Sequence, residues 1–176
     1  MAQRFGIGYD VHKLVKGRPL ILGGVKFDHP KGLEGHSDAD VLCHALGDAL
    51  LGAMSLGDLG THFPPDDKQW KDVSSLDLLK MIRAMVEGVG GTIVNVDVSV
   101  VCEAPKLAEK REEMVTNVAQ ALKLPAGQVS IKATTNEKLG FLGRGEGIAA
   151  LAVAAVVTAG PADTSRTRGG TEDIKL

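Results

Sequence analysis

The chain has 176 residues, 44% of them hydrophobic and 24% charged, with a formal net charge of −2 at pH 7. That length suits one domain with a substantial core, and that composition excludes a disordered chain. The near-neutral balance excludes broad attraction to nucleic acid or anionic membrane, so an anionic ligand would have to be met by local groups.

In chain order, Phe5, Ile7, Tyr9 and Val11 alternate with Gly6, Gly8, Asp10 and His12, which predicts a strand with Asp10 and His12 on one face. Leu20 to Phe27 predicts a short hairpin around Gly23-Gly24. From Asp38 to Met54 the period is helical, with Leu42, Ala45, Leu46, Ala49, Leu50 and Ala53 as the apolar stripe and Ser37 as the expected N-cap. Gly57 to Val73 has little periodicity and is expected to be a long loop of the kind that carries function. A second helix is expected from Ser74 or Ser75, with Leu78, Leu79, Ile82, Met85, Val86 and Val89 as its stripe and Gly90-Gly91 as its stop. Val94 to Val100 predicts a strand. Pro105 is placed as the first turn of a third helix running to about Leu122, and Val129, Ile131 and Ala133 predict another strand. Ile148 to Val157 fits a buried strand or an alanine-rich helix, and periodicity leaves both open. The polar tail after Gly160 is expected to be disordered. The expected domain therefore runs from 1 to 160, with a tail at 161–176. Its mixed helices and strands predict an α/β sandwich of one mixed sheet and one helical layer.

The two cysteines, Cys43 and Cys102, form no disulfide framework and fit a reducing compartment. The opening MAQRFGIGYD has no apolar stretch of signal-peptide type, and the longest apolar run is too short to cross a bilayer. A soluble, cytoplasmic protein is expected. Aromatic residues make up 3% of the chain, so a bound nucleobase would be read by backbone groups rather than held in a stacking cage.

Three constellations carry chemistry. Asp10 and His12 point the same way from one strand, and Asp40, His44 and Asp48 are spaced by four on one helix. A strand pair plus His44 could supply two imidazoles and a carboxylate to zinc, leaving a fourth position open. Asp48, one turn after His44, could orient a ligand. The segment Lys132 to Gly147 (KATTNEKLGFLGRGEG) joins four glycines to Thr134, Thr135, Lys138 and Arg144, with Glu137 able to hold a hard cation against a diphosphate. Lys106 is read as lying at a helix start, where free N–H groups favour anions. Each motif has a plainer reading: a solvated helix face for His44 and Asp48, a hairpin for the glycine-rich loop, a solvated lysine for Lys106.

Together, GYDVH, HSDADVLCHAL, GDLGTHFP, NVDVSVVCEAPK and KATTNEKLGFLGRGEGI resemble the segments of the 2-C-methyl-D-erythritol 2,4-cyclodiphosphate synthase family, in that family's order. The resemblance covers about Arg4 to Val157. It implies a phosphorus–oxygen lyase of the non-mevalonate isoprenoid pathway. The implied reaction cyclises 4-diphosphocytidyl-2-C-methyl-D-erythritol 2-phosphate with release of CMP. It implies a homotrimer with active sites between subunits, and Ile148 to Val157 as a buried strand near the trimer axis. The implied zinc ligands are Asp10, His12 and His44, and Glu137 would bind a second divalent cation, Mg2+ or Mn2+. Substrate contacts fall on His36, Ser37, Asp58, Gly60, Phe63, Asp67, Ala104, Pro105, Lys106, Leu107, Ala133, Thr134, Thr135, Phe141 and Arg144. Catalytic roles fall on His36, Thr135 and Asp48. Related trimers can enclose an apolar central cavity in which Arg144 would meet an isoprenoid diphosphate. The chain departs from the family at Pro65, which stands in place of the first aspartate of the Phe-Pro-Asp loop. Two other readings stay open on the residues alone: a zinc-dependent phosphohydrolase, and a non-catalytic trimeric nucleotide-binding module.

Overall fold

Glycine lets a helix lie directly on a strand, and that contact organises the molecule. The computed structural model describes residues 1–160. Strand β1 (Ala2–Lys16) runs beneath helix α1 (Val41–Ala53), with Gly8 facing Ala45 and Ala49, and Gly6 facing Ala49 and Ala53. The alanines of α1 meet these glycines, while Leu42, Leu46 and Leu50 are fully buried in the core behind them.

The other elements follow in order: β2 (Leu20–Leu22), β3 (Val25–Phe27), β4 (Lys31–Leu33), α2 (Leu59–His62), α3 (Ser75–Gly88), β5 (Gly91–Val101), α4 (Arg111–Leu122), β6 (Val129–Thr134), α5 (Gly140–Gly143) and β7 (Gly147–Thr158). Five strands form one mixed sheet in the order β4-β1-β7-β5-β6, and β2 and β3 form the expected hairpin. Strand β7 is antiparallel to both β1 and β5, whereas β5 and β6 are parallel. A register shift between Ile93 and Asn95 lets Ile93 and Val96, three apart, both face the core. The expected sandwich of one mixed sheet and one helical layer is what the chain forms, with α3 packed across α1 and α4.

The ambiguous run 148–157 is strand. Its even-numbered residues Ile148, Ala150, Ala152, Ala154 and Val156 are buried, while Leu151 and Val153 are exposed. With Phe5 (68% exposed), Ile7 (73%), Tyr9 and Val11 from β1, they leave a row of large apolar side chains on the outer sheet face. Solvated sheet faces carry polar side chains in the usual alternation.

Several sequence expectations need correction. Helix α1 starts at Val41, not Asp38, and its N-cap is Asp40, not Ser37. Ala39 sits at φ 58, which breaks the helical run, and Asp40 accepts from the Cys43 N–H. Burial of Asp40 against Gly24 and Cys43 also takes it out of any shared polar face with His44 and Asp48. The expected loop 57–73 contains α2 and a 3-10 turn at Lys68–Trp70, because Asp58 and Asp67 each cap a turn with their own carboxylates. The third helix does not start at Pro105. The Ala104–Pro105 bond is cis, helical dihedrals begin at Leu107, and a 3-10 turn (Ala108–Lys110) precedes α4. Lys106 is therefore not at a helix N-terminus. The tail expected to be disordered, 161–176, lies outside the described residues.

Candidate metal centre

Strand alternation projects Asp10 and His12 from one face of β1 toward α1, and α1 sets His44 opposite them. Asp10 Oδ2 lies 2.9 Å from His12 Nε2 and 3.1 Å from His44 Nδ1, and the two ring nitrogens are 3.1 Å apart. Among the described residues this is the group of histidine, cysteine and acidic side chains whose ligand atoms converge tightly enough to hold a metal ion. The triangle is close to one face of a tetrahedron with metal–ligand bonds of about 2.0 Å, whose edges would be about 3.3 Å.

The remaining ring nitrogens are committed elsewhere. His12 Nδ1 is 2.5 Å from the Glu34 carbonyl oxygen, which can only accept, so this nitrogen carries the proton and Nε2 is left for the centre. His44 Nε2 is 3.0 Å from Ser75 Oγ and 3.1 Å from Ser37 Oγ. Two imidazole nitrogens and a carboxylate oxygen thus meet at about hydrogen-bond distance, an arrangement that a shared divalent cation satisfies and three lone pairs alone do not.

The electrostatics match. Burial works to raise the Asp10 pKa, but the imidazoles of His12 and His44 at hydrogen-bond distance outweigh it and hold the carboxyl well below the ordinary carboxylate value. Burial works to lower that of His12, and the Asp10 hydrogen bond and charge, with the Glu34 carbonyl, raise it above 6.5. Asp48 is half-buried and accepts from the Leu59 N–H at 2.8 Å; burial, opposed by that bond, raises its pKa.

The other expected site residues fall into two groups. Ser37 lies beside His44, and His36 is tied through its carbonyl to the Asp72 N–H. Phe141 lines an open groove with His12 and Glu146, next to the metal centre. Arg144 is exposed and paired with Glu146 at 2.6 Å. Asp58 caps α2, with Gly60 exposed in its first turn. Phe63 is buried edge-on against Trp70, and Asp67 accepts from the Gln69 N–H.

The second group gathers at the carboxyl ends of the parallel pair β5 and β6, where sheet ligands commonly bind. There Cys102 N–H donates to the Thr134 carbonyl, joining the segment Ala104, Pro105, Lys106 and Leu107 to Ala133, Thr134 and Thr135. Thr135 Oγ1 donates to Glu137 Oε1 at 2.7 Å. Sequence reasoning missed Glu103, whose carboxylate accepts from Asn136 N–H (3.0 Å) and Lys138 N–H (3.3 Å) and so shapes this loop. It also missed that Ser75 reaches His44, for which no local spacing gives a signal.

The two groups are apart in one chain. Asp10 aligns with Ala150, Ala150 with Val100, and Val100 with Ala133. Three strand spacings separate them, about 14 Å.

A single mixed sheet with a helical layer on one face, bearing two imidazoles and a carboxylate that converge from a strand and a helix, defines an α/β protein with a ligand set of the kind that can hold a divalent metal. The chain belongs to the YgbB family, whose model matches residues 3–157. A 2-C-methyl-D-erythritol 2,4-cyclodiphosphate synthase from Salinibacter ruber is 56% identical over 156 residues, 89% of this chain and 99% of that protein. The structure of the bifunctional IspDF from Campylobacter jejuni aligns with a TM-score of 0.86 at 41% identity, covering 89% of this chain and 42% of that one. IspF from Plasmodium falciparum, solved as a CDP complex, aligns with a TM-score of 0.78 at 31% identity, covering 90% of this chain and 98% of that one.

Proposed function

We propose that this protein converts 4-diphosphocytidyl-2-C-methyl-D-erythritol 2-phosphate into 2-C-methyl-D-erythritol 2,4-cyclodiphosphate and CMP, as a phosphorus–oxygen lyase. The observation that carries this reading is the convergence of Asp10 Oδ2, His12 Nε2 and His44 Nδ1 in a chain that matches its relatives over nearly the whole domain.

In the reaction a 2-phosphate oxygen attacks the β-phosphorus, and the bond from that phosphorus to the bridging oxygen breaks. CMP leaves with the bonding pair, and no water is consumed. Both reacting groups belong to one molecule, so the protein's main task is to fold it. Such positioning is worth on the order of 7–11 kcal/mol in favourable cases. Bound by Asp10, His12 and His44, zinc would supply Lewis-acid polarisation of a phosphoryl oxygen. Glu137 would hold the second divalent cation, Mg2+ or Mn2+. His36, Ser37 and Thr135 would orient the phosphates, and Asp48 would steady the helical side of the site. Ala104 to Leu107 and Ala133 to Thr135 would take the cytidine diphosphate moiety, and Asp58 and Gly60 its ribose. Phe63 and Asp67 would serve by shaping the 58–70 segment.

A homotrimer with active sites between subunits accounts for two features at once. It covers the apolar outer face formed by Phe5, Ile7, Tyr9, Val11, Leu151 and Val153. It also lets the metal centre of one subunit face the β5–β6 loops of the next, which the separation of about 14 Å within a chain otherwise keeps apart. A central cavity would then place Arg144 to meet an isoprenoid diphosphate, competing with Glu146. We place the protein in the cytoplasm, where buried Cys43 and Cys102 stay reduced. No helix among the described residues is long and apolar enough to cross a membrane.

The test is incubation with the diphosphocytidyl substrate, zinc and magnesium, followed by phosphorus NMR. A cyclic diphosphate and CMP in equal amounts are expected. An open phosphate would mean hydrolysis, and unchanged substrate would mean a binding module; either rejects the proposal.

A further inference from the structure

The first residue of α3 lies 31 positions after His44 in the chain, yet it touches the metal centre. Ser75 is buried, with its Oγ 3.0 Å from His44 Nε2. The same hydroxyl donates to Asp38 Oδ1, and the Ser75 N–H donates to Asp38 Oδ2 at 3.0 Å. A carboxylate only accepts, so the Ser75 proton is committed to Asp38 and the oxygen turns a lone pair to His44. Ser37 Oγ, beside the same nitrogen, accepts from the Ala39 N–H. Asp38 is itself fixed, its N–H donating to the Val73 carbonyl at 3.1 Å.

We infer that Asp38 and Ser75 are positioning residues that hold His44 as its Nε2–H tautomer, presenting the Nδ1 lone pair to the cation. The direction of hydrogen bonding, from His44 to Ser75 to Asp38, selects the tautomer. His12 is held in the opposite one by the Glu34 carbonyl. Both rings thereby aim a bare nitrogen at Asp10, and neither must rotate or shed a proton from the wrong atom before binding. The inference rests on reading Asp10, His12 and His44 as a metal centre.

The experiment uses the full chain with nitrogen-15 histidine, free of metal, at about pH 8.5, above the ordinary histidine range. Nitrogen–proton correlation spectra should report the Nε2–H form for His44. A wild-type Nδ1–H form would overturn the inference directly. Zinc affinity is then measured by competition with a chromophoric chelator. Ser75→Ala should mix the two His44 tautomers and weaken zinc by about 10–100-fold, leaving the His12 tautomer in place. Asp38→Asn should go further, since its amide can donate to Ser75 Oγ and turn the hydroxyl proton toward His44, favouring the form that cannot bind. It also decides the matter if Ser75→Ala does not fold. A role limited to starting α3 would lower the melting temperature without moving the tautomer. An unchanged tautomer with zinc affinity within about twofold would therefore refute the relay. If the wild type takes up no zinc but its tautomer still depends on Ser75, the relay holds and the metal-centre reading falls.

Discussion

Replacing Gly8 with alanine should dismantle the metal centre from behind. A Cβ on Gly8 would lie 1.9 Å from the Ala45 carbonyl oxygen and 2.8 Å from the Ala49 nitrogen, both backbone atoms of α1. No side-chain rotation relieves that clash, so the helix must lift from the strand. Moving from 1.9 Å to an ordinary contact of 3.4 Å requires about 1.5 Å of displacement. His44 precedes Ala45 on the lifted helix, while Asp10 and His12 follow Gly8 on the strand, so the displacement falls directly between the ligands. Metal sites tolerate about 0.2 Å of error in bond length, several times less than this shift. Overpacking of this kind costs about 1–3 kcal/mol of stability, and a misplacement of about 1 Å can cost a hundredfold in rate. Gly8→Ala should therefore fold with a lower melting temperature, retain little zinc after dialysis by atomic emission, and turn over about a hundredfold more slowly. A Gly8→Ala protein with full zinc occupancy and wild-type turnover would show that the glycine contact does not set the ligand geometry.

Three further outcomes are expected. In the metal-free protein, the raised His12 pKa contributes stability that is complete below 6.5 and lost as pH rises through its folded value. Depressed Asp10 contributes stability above its ordinary 3.8 that is lost as pH falls through its folded value. The metal-free melting temperature should thus decline on the alkaline side, and saturating zinc should remove that decline because neutral His12 is the ligand; calorimetry across about pH 5 to 9 with and without zinc checks this, and a metal-free protein that grows more stable over the upper half contradicts it. Gly88→Ala, at a helical position whose Cβ would meet no atom within 4 Å, should stabilise by about 0.5–1 kcal/mol in denaturant titrations, and a loss of stability would count against the open-space reading. Burial pushes the Cys102 thiol up to about 11, with the nearby Glu103 charge adding to it, and Cys43 is buried as well, so intact protein at neutral pH should resist iodoacetamide; rapid alkylation by mass spectrometry would refute it.

What the sequence reveals depends on how local the determining contact is. The alternation through GYDVH places Asp10 and His12 on one face without help, and Gly23-Gly24 between two apolar triplets marks its hairpin, because both signals are complete within a few residues. His44 can be proposed as their partner from its helical spacing, although only packing of α1 on β1 brings it within 3.1 Å of Asp10. Reading fails where a distant residue takes the decisive bond. Asp38 looks like the first turn of a helix, but its carboxylate is spent on Ser75, and Ala39 turns to positive φ so that Asp40 becomes the cap. Pro105 has the sequence signature of a helix start, yet its segment is drawn over the end of β6 by the Cys102–Thr134 bond. Glu103 and Ser75 were invisible as site residues because each acts on a loop or ring more than thirty positions away.

The place of β7 in the sheet has a consequence for biosynthesis. It is the last of the described strands in chain order, and it lies between β1 and β5, which have no bonds to each other. Until that strand is made, the early strand–helix unit and the β5–β6 unit lack the element that joins them, and a gap one strand wide lies between them. Closure comes in a late step in which the arriving strand pairs with both sides, and the distant pairing of Ala2 with Thr158 makes that step entropically demanding. Truncations that remove β7 should therefore yield nascent chains that invite chaperones rather than a smaller folded protein.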